Sequence, residues 1–177
     1  MKDDEISSRV RTASGSDRIM AQLELPDLAK ILAQALQNIA PGLRPVLLAA
    51  LERLAGQRYR MWANEHLDPA VKEGLLACAE REEEIGRRVE SLHPNAADIQ
   101  NKLLADHPEL LDLNRTLFEG RPLTDQFTMQ AQGERAGAAA WRAFAAAATD
   151  AAAQELLQSC SPLEEANAAF LQSVLST

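Results

Sequence analysis

Four glutamates stand where apolar side chains would be expected. Glu52 lies one helical turn from Leu48, Ala55 and Gly56 and shares a face with Tyr59. Glu82 lies one turn from Cys78, Ala79, Ile85 and Gly86. Glu134 shares a face with Ala138, Trp141 and Ala145, and Glu164 with Cys160, Ala168 and Leu171. A carboxylate on an apolar face is costly to bury unless it is neutralised, paired or bound to a metal ion. Four carboxylates meeting in one core would make a hard-oxygen site for manganese, magnesium, calcium or, less securely, iron.

The elements that must carry these residues are helical. Apolar residues make up 46% of the 177-residue chain but aromatics only 4%, so Ala and Leu must build the core. That composition favours close-packed helices, because Ala is the best helix former and a poor strand former. An all-α fold is expected. Residues 1–24 are polar and are expected to form a flexible tail, followed by one helical domain over 25–177. A short amphipathic helix is expected at 26–40, ended by Pro41-Gly42. A long helix should run from Arg44 to His66. Asp68-Pro69 reads as the N-cap and first residue of the next one, which should reach Leu92. Residues 93–123 hold two short helical patterns separated by His107-Pro108. A third long helix is expected from Thr124-Asp125 to Thr149, and a fourth, capped by Asp150, to Ser176. Pro162 must kink or restart that fourth helix.

A repeat organises these elements. At a fixed shift of 82 residues, Glu52-Arg53 maps onto Glu134-Arg135, Tyr59 onto Trp141, and Asp68 onto Asp150. Cys78 maps onto Cys160 and Glu82-Glu83 onto Glu164-Glu165, with no gap. Matched aromatics, caps, cysteines and Glu pairs point to two copies of one helical hairpin, 44–92 and 124–176. Two hairpins about a pseudo-twofold axis, joined by the long crossover 93–123, form a four-helix bundle. Each hairpin then aims one Glu from each of its helices at the core.

The spacing of Glu52, Ala55, Tyr59, Trp62 and Ala63 resembles the first helix of the rubrerythrin-type, ferritin-like family. Ala79, Glu82, Ile85, Gly86, Val89 and Leu92 resemble its second, except that the family has His where Ile85 stands. Glu134, Trp141, Phe144 and Ala145 repeat the first pattern, and Glu164-Glu165-Ala166-Asn167 the second, with Asn167 at the second His position. The resemblance implies a di-iron or di-manganese centre on two Glu and two Glu-x-x-His pairs. Here Glu52, Glu82, Glu134 and Glu164 are the expected ligands, with Asn167, Tyr59 and Glu165 as secondary contributors. The cofactor is iron or manganese, or none. With both histidines replaced, the chain is either a metal carboxylate protein related to non-haem oxidoreductases or a metal-free scaffold or interaction module. His66, His93 and His107 fall at no ligand position.

Plainer roles compete at several positions. Ser161-Pro162-Leu163-Glu164 has the form of a capping box, which would assign Glu164 to a helix end. Glu52 and Glu134 can pair with Arg53, Arg58 or Arg135. Glu83–Arg87 and Glu84–Arg88 are ordinary i,i+4 pairs. Tyr59 and Trp141 serve equally as core filler. Cys78 and Cys160 should sit on opposite sides of the Glu layer, too far apart for a disulfide, and are expected as free thiols.

The bulk properties exclude other classes. A formal charge of −8 repels a phosphate backbone, so nucleic acid is not an expected partner. No apolar run approaches the roughly 20 residues of a membrane helix, and the acidic start Met1-Lys2-Asp3-Asp4-Glu5 is not a secretory signal. A cytoplasmic protein is expected. The small residues 136–148 would let a second copy approach, so a homodimer through that helix or through 26–40 is expected. No phosphate loop, Cys-x-x-Cys or Ser/His/Asp arrangement stands out.

Overall fold

The computed structural model describes residues 25–177, without the side chains of residues 113 and 114. The tail expected over 1–24 lies outside the described residues. Among the described residues there is no strand, and the chain is all-α. The helices are α1 (Leu28–Gln37), α2 (Arg44–Glu65), α3 (Pro69–Glu90), α4 (Ala96–Asp106), α5 (Glu109–Phe118), α6 (Leu123–Ala147), α7 (Ala151–Gln158) and α8 (Ser161–Leu175). A 3-10 turn, Pro41–Leu43, joins α1 to α2.

Three aspartates start helices. Asp27 accepts from the Lys30 amide at 3.0 Å, Asp68 from the Ala70 amide at 2.8 Å, and Asp150 from the Ala153 amide at 2.8 Å. Each cap satisfies an amide that has no partner inside its helix and contributes about 1 kcal/mol. Gly120, at φ 75, takes the left-handed turn that separates α5 from α6.

The expected fourth helix is broken in two. Proline 162 has no amide hydrogen and its ring would strike the carbonyl of Gln158, so α7 stops there and α8 restarts at Ser161. Arg88 of α3 seals the break. Its Nη1 donates to the Ser159 carbonyl at 2.9 Å and to the Ser159 hydroxyl at 3.0 Å. The capping box does not form. Cys160 occupies the N-cap position without a side-chain cap, and the Ser161 hydroxyl accepts from Arg142 at 2.6 Å.

Helix α2 packs along α3, and α6 along α8 and α7; α3 joins the two pairs by packing on α8 and α7. Gly74 permits that joint, since a Cβ there would lie 2.0 Å from the Phe170 ring. Helix α1 lies on α6, and α4 on α2. Arg53 of α2 clamps α3 by donating to Glu90 at 2.7 Å and to Glu83. The expected Glu83–Arg87 pair is therefore absent; Arg87 and Arg88 both bond Glu84.

The buried apolar side chains form three clusters: Leu36, Ile39, Leu47, Leu103 and Leu110 gather beneath α1, α4 and α5, and two layers lie along the long helices. One gathers Tyr59, Trp62, Leu75, Cys78, Met129 and Leu171. The other gathers Leu48, Ile85, Val89, Trp141, Leu157 and Cys160. Along each of α2, α3, α6 and the α7–α8 rod, one glutamate falls between its contribution to the first layer and its contribution to the second. The cysteines are free and lie one in each layer. Burial pushes both thiols up to about 12, so they are held as thiols.

Candidate metal centre

Glu52, Glu82, Glu134 and Glu164 are all buried, with Glu52 the most exposed at 8%. One oxygen from each of Glu52, Glu82 and Glu164 lies within 4.8 Å of the other two, an arrangement that can hold a metal ion. Helical period alone turns these side chains inward, because each lies three or four residues from buried neighbours on its own helix.

The remaining polar groups hold the carboxylates in place. The Tyr59 hydroxyl donates to Glu134 Oε1 at 2.7 Å, and Gln130 Nε2 donates to the same oxygen at 2.5 Å. Trp141 Nε1 donates to Glu164 Oε1 at 2.7 Å. Asn167 Nδ2 donates to Glu82 Oε1 at 2.8 Å. Two arginines back the amides. Arg58 Nη2 donates to Gln130 Oε1 at 2.7 Å, and Arg81 Nη1 to Asn167 Oδ1 at 2.9 Å. Each amide thus lies between an arginine of the first hairpin and a carboxylate, which orients the amide and leaves its N–H groups facing the acid.

Burial and mutual repulsion dominate the electrostatics. Burial, then the charge of Glu134, raises Glu52 to about 8, against hydrogen bonding from Glu164 and Glu82 and the charge of Arg58. Glu82 is pushed well above the carboxylate range by burial and by Glu134 and Glu52, with Asn167 acting in the opposite direction. Glu164 is pushed up by burial and by Glu52, Glu82 and Glu134. Without a cation, such a group relieves its repulsion by holding protons. A divalent ion would supply the missing positive charge directly.

Two observations test whether the residues fit an ion. Among the described residues, Oε2 of Glu82 and Oε2 of Glu134 are buried and, with the acids ionised, meet no hydrogen-bond partner; only a proton shared between the acids or a cation can satisfy them. Gly137 leaves room for the Glu164 carboxylate: a Cβ there would sit 2.6 Å from its Oε1 and 2.9 Å from its Cδ. An oxygen-only donor set with unpartnered oxygens fits an oxygen-seeking divalent cation. Gly137→Ala is expected to push the Glu164 carboxylate off Trp141 and out of the cluster. Manganese affinity, read by calorimetry, should fall at least tenfold while thermal stability drops only modestly. Unchanged affinity would show that Glu164 is not a ligand.

The secondary residues separate. Tyr59 reaches Glu134, as described. Asn167 faces Glu82 with its N–H and gives its oxygen to Arg81, so it positions a carboxylate and does not offer the ligating oxygen expected of it. Glu165 is exposed and pairs with Arg142 at 2.5 Å, because consecutive helical residues point about 100° apart. The competing Arg53 pairs go to Glu83 and Glu90, and Arg135 donates to the Ala131 carbonyl. His66 accepts from the Asp68 amide and His107 lies beside Glu109, each just past the end of its helix. Gln130 and Arg81 were not expected. Gln130 carried a signal, being one turn before Glu134 on the same face; Arg81 carried none, since it sits in the charged run 80–84.

No protein-family model, curated protein or solved structure matches the chain. Its class therefore rests on fold and site: an all-α protein with a buried carboxylate cluster that can hold a metal ion. No helix among the described residues is long and apolar enough to cross a membrane.

Proposed function

We propose that the chain is a ferritin-like four-helix bundle of two pseudo-twofold-related hairpins, α2–α3 and α6–α7–α8, binding divalent metal on Glu52, Glu82, Glu134 and Glu164. The convergence of three buried carboxylates from three helices within 4.8 Å carries this reading. The unpartnered oxygens and the space beside Gly137 support it. Iron or manganese is the ion implied by the resemblance, and such an ion supplies redox chemistry toward dioxygen or peroxide. The chain's own residues hold the carboxylates and fix their orientation through Tyr59, Trp141, Gln130 and Asn167.

A metal-free scaffold is the second reading, and Ile85 favours it. That side chain is fully buried in the apolar layer around Trp141, at the position where the family has a ligand histidine. Metal analysis of protein purified without chelators separates the two. The first reading expects about one or two equivalents of manganese or iron per chain and a raised melting temperature when either is added. Less than about a tenth of an equivalent, with melting unchanged by added metal, leaves the scaffold.

A further inference from the structure

The amides that hold the carboxylates break the symmetry of the repeat. At the 82-residue shift Gln130 falls on Leu48 and Asn167 on Ile85. The arginines behind them, Arg58 and Arg81, fall on Ala140 and Leu163. All four counterparts belong to the apolar layer around Trp141. Glu134 and Glu82 are thus each tied by an amide that an arginine backs. Glu52 and Glu164 are buried too, yet have apolar residues at the matching positions. Burying a glutamate in this core does not by itself call for such a relay.

Chemistry fixes the direction of each relay. Arginine has donors and no acceptor, so the oxygens of Gln130 and Asn167 must face it and their N–H groups must face the acids. Turning either buried amide over would set donor against donor and acceptor against acceptor. The consequence at each acid is that Oε1 is drawn back onto protein donors. Glu134 Oε1 receives both Tyr59 and Gln130, which occupies its lone pairs. Glu82 Oε1 receives Asn167. An acid held in this way offers an ion one oxygen and not a chelating pair. Calcium gathers roughly six to eight oxygens at about 2.3–2.6 Å and often takes both oxygens of a carboxylate. Magnesium and manganese keep a tighter shell of about six. Withholding oxygens therefore acts against the larger ion.

We propose that the relays Arg58–Gln130–Glu134 and Arg81–Asn167–Glu82 determine ion selectivity, restricting both carboxylates to single-oxygen ligation and so favouring manganese over calcium. The inference rests on the metal reading above and adds to it the residues that decide the size of the ion. Arg58, Gln130, Arg81 and Asn167 are positioning residues, and none of them is a ligand.

Calorimetric titration of the full chain with manganese and with calcium tests it. The unaltered protein is expected to bind manganese at least a hundredfold more tightly. Gln130→Met with Arg81→Met removes one link from each relay. The first frees a lone pair on Glu134, and the second leaves Asn167 able to turn its oxygen toward the ion. The manganese-to-calcium affinity ratio should then fall at least tenfold. If the double variant does not fold, each single variant should lower the ratio at least threefold. A merely structural role would weaken both ions alike, so an unmoved ratio overturns the inference even where the melting temperature drops. Calcium binding as tight as manganese in the unaltered protein also overturns it. Manganese binding with an unmoved ratio removes this inference alone; absence of manganese binding removes the metal reading and this inference with it.

Discussion

The metal-free protein is expected to be most stable at about pH 5 and to lose stability steadily up to pH 8. The sign follows from Glu52, which burial raises from 4.5 to about 8 on folding. Between those values the folded chain keeps a proton that the unfolded chain releases. Rising pH therefore favours unfolding, and the contribution is complete below 4.5 and gone above 8. For Glu52 alone the change is on the order of 5 kcal/mol, and Glu82 and Glu164 act in the same direction. The acid limb has a different origin. Hydrogen bonds from Arg88 and Arg53 hold Glu84 and Glu90 below the usual carboxylate range, and their contributions disappear as pH falls through those depressed values. Bound metal should flatten the slope, because liganded carboxylates stay ionised and the ion replaces the protons. Its stabilisation should grow with pH, reaching about 2.7 kcal/mol at a hundredfold excess over Kd. Urea midpoints at pH 5, 6.5 and 8, with chelator and with manganese, measure both effects. Metal-free stability that is flat or rises between pH 5 and 8 contradicts the buried cluster, and Glu52→Gln should reduce the slope without abolishing it, since Glu82 and Glu164 still titrate in the same direction.

The features legible in the sequence share a cause: each depends on residues one or two turns apart. Asp68 and Asp150 cap helices because the amides they serve are two or three residues away. The four glutamates point inward because helical period decides which way a side chain faces. Pro162 breaks a helix by its own chemistry. What was not legible depends on a neighbour from another helix. Ser161 and Glu164 have the spacing of a capping box, but the Trp141 indole needs a buried acceptor and takes Glu164, while Arg142 takes Ser161. Glu83 has Arg87 one turn on, yet Arg53 crosses from α2 and claims it. Arg81 looks like part of a solvated charge run until Asn167 from α8 is placed beside it. The pocket lined by Leu28, Leu51, Phe118 and Gly133 is likewise a product of packing, since its lining comes from four different helices.

Substituting Ile85→His together with Asn167→His is expected to change the metal preference of the site by at least a hundredfold. Each residue is fully buried and lies three residues after a cluster glutamate, Glu82 or Glu164, so each projects from the same face one turn on. Imidazole is close in volume to the Ile85 side chain but larger than the Asn167 amide, so the second substitution also carries an overpacking cost of about 1–3 kcal/mol. Metal-free stability should fall by about 1–3 kcal/mol more, because the bond from Asn167 to Glu82 is lost and Arg81 loses its acceptor. Against that, two neutral nitrogen ligands favour zinc, cobalt and iron far more than manganese, magnesium or calcium. The ratio of zinc to manganese affinity, from competition with a coloured chelator, should therefore rise at least a hundredfold. Cobalt(II) loading should give the visible absorption of mixed nitrogen and oxygen ligation. The two single variants carry a sharper demand. If the hairpins are related by a dyad, Ile85→His and Asn167→His should each supply a comparable part of the change. An unaltered affinity ratio would mean that these positions do not face the ion, and the ferritin-like arrangement of ligands would be excluded even if metal binds elsewhere in the cluster.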